Sequence, residues 1–258
     1  MSILRESVPL NILIVGGGGG IGLGFVKQFL EPTFSVNQIY ATYRTPESAS
    51  ELIALSQQNP ARLTALAMDI TQESAIASAV EQISSQTKAI HLVIYCVGIL
   101  HRDKDFQPEK SLRQIDSDNL LQYFQINSIG AVLLAKHLMP LFKHQDSSIF
   151  AAISAKVGSI GDNRLGGWYG YRASKAALNM FLKTISIEYS RRCPKTIVTA
   201  LHPGTTDTKL SEPFQANVPQ GKLFPVSKTV GLLTEVMKNL EQKDSGEFFS
   251  WDGSRLPW

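Results

Sequence analysis

The sequence predicts an α/β fold: a doubly wound, mainly parallel sheet of about seven strands, flanked by helices on both faces. Three observations predict it. Short apolar runs alternate with longer helical patterns nearly from end to end. The runs are apolar through their length rather than at every second residue, as 90–97 illustrates, which is the pattern of strands covered on both faces. Five consecutive glycines, residues 16–20, separate the first run from the first helical pattern, where a βαβ unit places its tightest turn.

Taken in order, the first strand is expected at 10–15 and its helix at 21–30. A strand at 38–43 precedes a helix near 47–57, and a strand at 63–68 precedes a helix near 72–86. The fourth strand, 90–97, runs into a polar loop that ends at Pro108, and a long helix is expected over 118–143. A fifth strand at 148–154 opens a glycine-rich loop to Gly170, followed by a helix over 171–190. The sixth strand, 196–202, enters a Pro-Gly loop; a helix near 227–240 and a short strand near 247–250 complete the pattern. No repeat, linker or composition break divides the chain, so one domain spanning 1–258 is expected. Its ligand belongs outside the carboxyl ends of the strands.

Composition narrows the function classes. Of 258 residues, 43% are hydrophobic and 18% charged, which argues against intrinsic disorder. A net charge of +3 is too weak to point to nucleic acid or an anionic membrane. No apolar run approaches the roughly 18 residues of a membrane span. The N-terminal stretch, with Arg5, Glu6 and Pro9, lacks the pattern of a signal peptide, so a cytoplasmic protein is expected. Cys96 and Cys193 share no metal-ligand spacing and read as reduced thiols, with Cys96 packed in the core. None of the five histidines forms a metal pair; His137 and His144 stand seven apart, and His202 reads as structural. No metal is expected.

The glycine turn carries the first functional signal. Gly16, Gly20 and Gly22, with Ile21 between the last two, fit a turn whose backbone amides approach a pyrophosphate at a helix N-terminus. At the end of the second strand the sequence reads Ala41-Thr42-Tyr43-Arg44, with no acid for a ribose 2′-hydroxyl. A guanidinium there suits a 2′-phosphate, so NADP is favoured and NAD is the alternative. Asp69, ending the third strand, is placed either to bond the adenine amino group or to cap the helix that starts near Gln72.

The second signal is Tyr171 with Lys175, four residues apart and therefore on one helical face. A free phenol has a pKa of about 10. Acid–base work near pH 7 asks for a shift of roughly three units, or about 4 kcal/mol, and a nearby ammonium favours the phenolate.

With these pieces in hand, the chain resembles the short-chain dehydrogenase/reductase superfamily over essentially its whole length, and hence a Rossmann-type fold. The matching residues are the glycine turn, Asp69, Gly98, Asn127, Tyr171 with Lys175, and Pro203-Gly204-Thr205-Thr206-Asp207-Thr208. Residues 167–179 (Gly-Trp-Tyr-Gly-Tyr-Arg-Ala-Ser-Lys-Ala-Ala-Leu-Asn) are similar to the C-factor and sniffer-like carbonyl reductase branch. The resemblance implies hydride transfer between nicotinamide and a carbonyl or alcohol carbon by an Asn-Ser-Tyr-Lys tetrad. It makes Tyr171 the proton donor, with Lys175 lowering its pKa and holding the nicotinamide ribose. It has Asn127 position a water, and it puts Pro203, Gly204, Thr206 and Thr208 on the cofactor. Family members are often dimers or tetramers and some are single chains, which leaves the oligomeric state open.

One departure bears on chemistry. The family's serine, aligned on Gly158, falls on Ala155 in Ile153-Ser154-Ala155-Lys156-Val157-Gly158-Ser159. Three readings stand: Ser154 takes the role, which is favoured here; Ser159 reaches in; or the site lacks the serine. Milder departures are Val15 before the glycine turn and Tyr95-Cys96-Val97-Gly98 closing the fourth strand. Trp168 and Tyr169 flank the site, and 207–224 reads as a substrate lid offering Phe214, Val218 and Leu223, which favours a small neutral carbonyl substrate. The expected function is thus a carbonyl reductase or alcohol dehydrogenase. The alternative is a cofactor-binding, C-factor-like signalling protein with weak or no turnover; a lyase or isomerase on the same scaffold is a third reading.

Overall fold

The computed structural model describes residues 8–258; Arg5 and Glu6 lie outside the described residues. Strand β1 (Leu10–Val15) is buried at all six positions. Side chains alternate across a strand, and here both faces are apolar. Leu13 and Val15 join one core, whereas Ile12 and Ile14 join the other. The continuous apolar runs in the sequence are the trace of these two cores.

Strands β2 (Val36–Tyr43), β3 (Leu63–Ala67), β4 (Leu92–Tyr95), β5 (Ser148–Ile153) and β6 (Thr196–His202) follow. A two-stranded piece comes next, β7 (Thr205–Thr206) with β8 (Leu223–Phe224), and then β9 (Glu247–Ser250). The main sheet has seven strands in the order β3-β2-β1-β4-β5-β6-β9, all paired in parallel. Strand order reverses between β1 and β4, and the crevice above their carboxyl ends is the expected ligand position of such a sheet. Helices α1 (Gly20–Leu30), α2 (Ser50–Gln58) and α7 (Val226–Lys238) contribute to one core. Helices α3 (Glu73–Gln86), α5 (Gly130–Leu138) and α6 (Tyr169–Arg192) contribute to the other.

The helix expected over 118–143 is not one regular helix. Helix α4 (Ser117–Phe124) starts where the Asp116 carboxylate accepts the Asn119 N–H at 2.9 Å. A wide turn of π type, Gln125–Ile129, joins it to α5. Pro140 then falls in a 3₁₀ turn, Met139–Phe142, since proline lacks the amide that an α-helix interior requires. Gly130 follows the π turn. Gly130 lies so close to β4 and its neighbours that a Cβ would sit 2.3 Å from Ile70 Cγ1 and 2.9 Å from the Tyr95 hydroxyl oxygen. That hydroxyl donates to Ile126 O at 3.0 Å, so Tyr95 braces the sheet end against the π turn. Among the described residues, no helix is long and apolar enough to cross a membrane.

The segment 207–224 is pinned at its base. Thr205 and Thr206 pair with Leu223 and Phe224, and the Asp207 N–H donates to Phe224 O at 2.8 Å. Between them lies a 3₁₀ turn, Glu212–Asn217.

Candidate active site

A cleft of about 1200 Å³ runs along the carboxyl ends of β1, β4, β5 and β6. At one end is the glycine turn. Gly16 and Gly20 have φ of +85° and +51°, a region that disfavours side chains. A Cβ on Gly22 would lie 2.1 Å from Gly16 O, whereas one on Gly19 would meet nothing within 4 Å. The turn is therefore tight on its inner side and open on its outer side. Helix α1 has no side-chain cap, so its first amides are available to an anion. Ile21 lines the cleft, and the Thr208 methyl group would lie 3.4 Å from a Cβ on Gly20.

The Pro-Gly loop forms the facing wall. Gly204 has φ of +72°, and a Cβ there would come within 3.0 Å of Phe224 and Trp251. Thr206 shares a buried hydrogen bond with Thr229, Oγ1 to Oγ1, at 2.9 Å. Pro203, Gly204, Thr206 and Thr208 all line the cleft. Arg44 is exposed just beyond β2 and is not among the residues lining the cleft. Asp69 Oδ1 accepts the Thr71 N–H at 2.9 Å and the Thr71 hydroxyl at 2.8 Å. This is a turn that leads into α3 and not a cap on its first residue, since Gln72 at that position makes no side-chain cap.

Tyr171 and Lys175 occupy the other end. Both are buried, at 7% and 3% exposure, and the Lys175 Nζ stands 5.9 Å from the Tyr171 ring centroid. The Nζ donates to Ile153 O at 3.0 Å, which ties α6 to the end of β5. Burial pushes the Lys175 ammonium down to about 8, partly opposed by Cys96. Burial also raises the Tyr171 phenol above its ordinary value. Desolvation of the buried ring is the cause of that rise. Cys96 lines the cleft, and its thiol is pushed up by burial, which keeps it protonated rather than nucleophilic.

Asn127 lies in the π turn, fully buried. Its Oδ1 accepts the Ile99 N–H at 2.7 Å, and its Nδ2 donates to Ile99 O and to Ser174 Oγ, each at 3.0 Å. A Cβ on Gly98 would lie 3.4 Å from Lys175 Nζ and 3.5 Å from Asn127 Oδ1. Gly98, Asn127 and Lys175 therefore meet.

Ser154 lines the same cleft, and its hydroxyl bonds to α6. Its Oγ donates to Asn179 Oδ1 at 2.6 Å, so its single proton is committed to α6. Ser159 is also engaged elsewhere, donating to Trp258 O at 3.3 Å and accepting the Asp162 N–H at 3.1 Å. Ala155 packs against the buried cluster of Leu100, Phe106, Tyr123 and Tyr171, as do Val157, Trp168, Leu210 and Phe214. Asn179 escaped the sequence reading, although it lies four residues beyond Lys175 and thus on its face.

Three of the histidines make local polar contacts. His202 Nδ1 accepts the Lys156 N–H at 3.3 Å, and burial pushes its pKa down to about 4, leaving a neutral ring at the cleft wall. His91 and His144 approach Asp146, at 3.6 and 3.9 Å. His91 Nδ1 accepts the Asn11 N–H, which puts the ring proton on the nitrogen a metal would need.

A glycine turn at the switch point and a buried Tyr-Lys pair across the same cleft define a dinucleotide-binding oxidoreductase site. The family model for short chain dehydrogenase matches residues 10–219, and the chain belongs to that family. A short-chain dehydrogenase of Neurospora crassa, srdF, is 30% identical over 256 residues, covering 96% of this chain and 97% of its own. The C-signal protein of Myxococcus xanthus is 30% identical over 149 residues, covering 57% of this chain and 84% of its own. Among solved structures, the NADPH-bound carbonyl reductase from chicken fatty liver superposes with a TM-score of 0.86 at 27% identity, covering 97% of this chain and all of that one. Carbonyl reductase Sniffer of D. melanogaster superposes with a TM-score of 0.85 at 26% identity, with the same coverage.

Proposed function

We propose that this chain is an NADP-preferring reductase of small, neutral carbonyl compounds, running in reverse as an alcohol dehydrogenase. The observation that carries the reading is the placement of Tyr171. Its ring belongs to a buried cluster against which Ala155, Trp168 and Phe214 pack, at one end of a cleft whose other end is the glycine turn. The site fits a dinucleotide: the turn excludes Cβ atoms on its inner side and leaves open space at Gly19. Residues 16–22, Gly98, Pro203, Gly204, Thr206 and Thr208 would hold it, with Arg44 and Asp69 near its adenosine end. Bound there, the reduced form supplies a hydride for the carbonyl carbon.

The residues of the chain do the rest. Tyr171, kept protonated by burial, gives its hydroxyl proton to the carbonyl oxygen as charge develops there. Lys175 is largely charged at neutral pH and would then favour the phenolate that remains. Asn127 is fixed by three hydrogen bonds and braces Ser174, whose Oγ donates to Tyr171 O at 2.9 Å. Trp168 and Phe214, 5.1 Å apart between ring centroids, exclude water from the reacting carbon, with 207–224 as lid.

The test is a panel of neutral aldehydes and ketones with NADPH, on wild type and Tyr171→Phe. Turnover that falls by roughly 10²–10⁴ in the variant, with NADPH binding retained, supports the reading. Cofactor binding without turnover in wild type would favour the second reading, a cofactor-dependent signalling protein. That reading is motivated by the likeness to C-signal and by Ala155 at the serine position.

A further inference from the structure

Helix α6 carries Tyr171 in its first turn, yet it has no cap of its own. Trp168 occupies the N-cap position and no side chain there accepts from the helix amides; an indole offers no acceptor. The acceptors arrive from a loop some sixty residues earlier. The main-chain oxygen of Glu109 accepts the Trp168 N–H at 2.5 Å, and its carboxylate Oε2 accepts the Gly170 N–H at 3.1 Å. A carboxylate at a helix N-terminus is also favoured by the helix dipole.

The seat is close and specific. Glu109 is 4% exposed. A Cβ on Gly170 would lie 2.4 Å from Tyr123 Cδ2 and 2.9 Å from Glu109 Oε1, so only glycine lets the carboxylate reach this amide. Oε1 has no hydrogen-bond partner among the described residues. An apolar side chain would fill such a space at lower desolvation cost; what it could not do is accept the amide.

The turn it holds is an unusual one. Gly166, Gly167 and Trp168 have φ of +65°, +65° and +51°, and Trp168 is the only non-glycine residue with positive φ among the described residues. A residue with a Cβ does not rest there unaided. The same turn sets the Trp168 ring 6.1 Å from Tyr171 and 5.1 Å from Phe214. Glu109 therefore grips the two amides on either side of Tyr169, immediately before the tyrosine.

We propose that Glu109 is the positioning residue of the active-site helix: it caps the first turn of α6 from a distant loop and so fixes Trp168 and Tyr171 against the substrate chamber. Its effect on catalysis rests on the reductase reading above; the cap itself does not.

The experiment compares wild type, Glu109→Ala and Glu109→Gln as full chains, by amide hydrogen exchange and by steady-state kinetics with NADPH. In Glu109→Ala the Gly170 amide exchanges at least about tenfold faster, since its acceptor is gone, while amides of the central sheet are unchanged. The value of kcat falls by on the order of 10²-fold, as expected for a small misplacement of the proton donor, and KM for NADPH is unchanged. Glu109→Gln keeps an acceptor oxygen and restores both protection and most of kcat. Should the alanine variant not fold, Glu109→Asp, one methylene too short, is expected to behave as alanine would. Unchanged Gly170 protection in the alanine or aspartate variant overturns the cap. Faster exchange that spreads uniformly through the sheet, or an unchanged kcat, overturns the positioning role. If wild type turns over no carbonyl, the reductase reading falls, and the exchange comparison still decides the cap.

Discussion

Removing the buried charge of Lys175 should make the cofactor-free protein more stable while destroying its activity. Lys175 is 3% exposed, and burial pushes its ammonium from an ordinary 10.5 to about 8. A shift of some 2.5 units corresponds to roughly 3 kcal/mol of penalty on the charged form. The sign follows from proton binding. Between pH 8 and 10.5 the unfolded chain holds the proton that the folded chain has released, so stability rises with pH in that window. Below pH 8 both states are protonated and the whole penalty applies. Lys175→Met keeps the volume of the stem and removes the charge. It also removes the hydrogen bond to Ile153 O, a loss of about 1 kcal/mol. The net expectation at pH 7 is a gain of roughly 2 kcal/mol, or some 4–8 °C in Tm for a chain of this size. The assay is thermal and urea unfolding of the two cofactor-free proteins at pH 7 and pH 10. The gain should be largest at pH 7 and shrink toward pH 10. A variant no more stable than wild type at pH 7, or a gap that does not narrow with pH, refutes the reasoning.

Three further outcomes are expected. Gly22→Ala places a methyl group 2.1 Å from Gly16 O, so it should lower stability by about 1–3 kcal/mol and weaken NADPH binding, both measurable by calorimetry on one sample; a variant that binds like wild type contradicts the tight-turn geometry. Ala155→Ser adds a hydroxyl to a residue packed against the Tyr171 cluster, and kcat for carbonyl reduction should rise by roughly 10-fold or more; an unchanged or lower kcat indicates that no oxyanion passes that position. Arg44→Ala should weaken NADPH binding by at least about tenfold and leave NADH binding unchanged in parallel titrations, and equal loss for both removes the reason to assign NADP.

The fold was legible because its rules are local and periodic. Every strand expected from an apolar run is present, and β6 and β9 have the expected bounds, Thr196–His202 and Glu247–Ser250. The helix expected over 118–143 is interrupted by the π turn, beside which Gly130 approaches Ile70 and Tyr95. Those partners lie far away in sequence, and no local pattern records them. Pro140 did carry a local signal, and it marks where the α-helix stops.

In the site, legibility followed the same division. Tyr171 with Lys175 could be paired from spacing alone, because one helix carries both. Ser154 could not be judged that way, because its role depends on which partner its single proton finds, and Asn179 on another element takes it. The acidity of the phenol divides in the same way: the charge of Lys175 is visible in the sequence, whereas the desolvation that raises the Tyr171 phenol is a property of packing. Glu109 gave no sequence signal whatever, since a cap is ordinarily sought within three residues of the helix it serves. What remains hidden in this chain is thus of one kind: polar groups whose partners are brought to them by the fold. Those groups set how the tyrosine is held, and the residues that most repay mutation lie as much on the loop at Glu109 as on the helix that carries Tyr171.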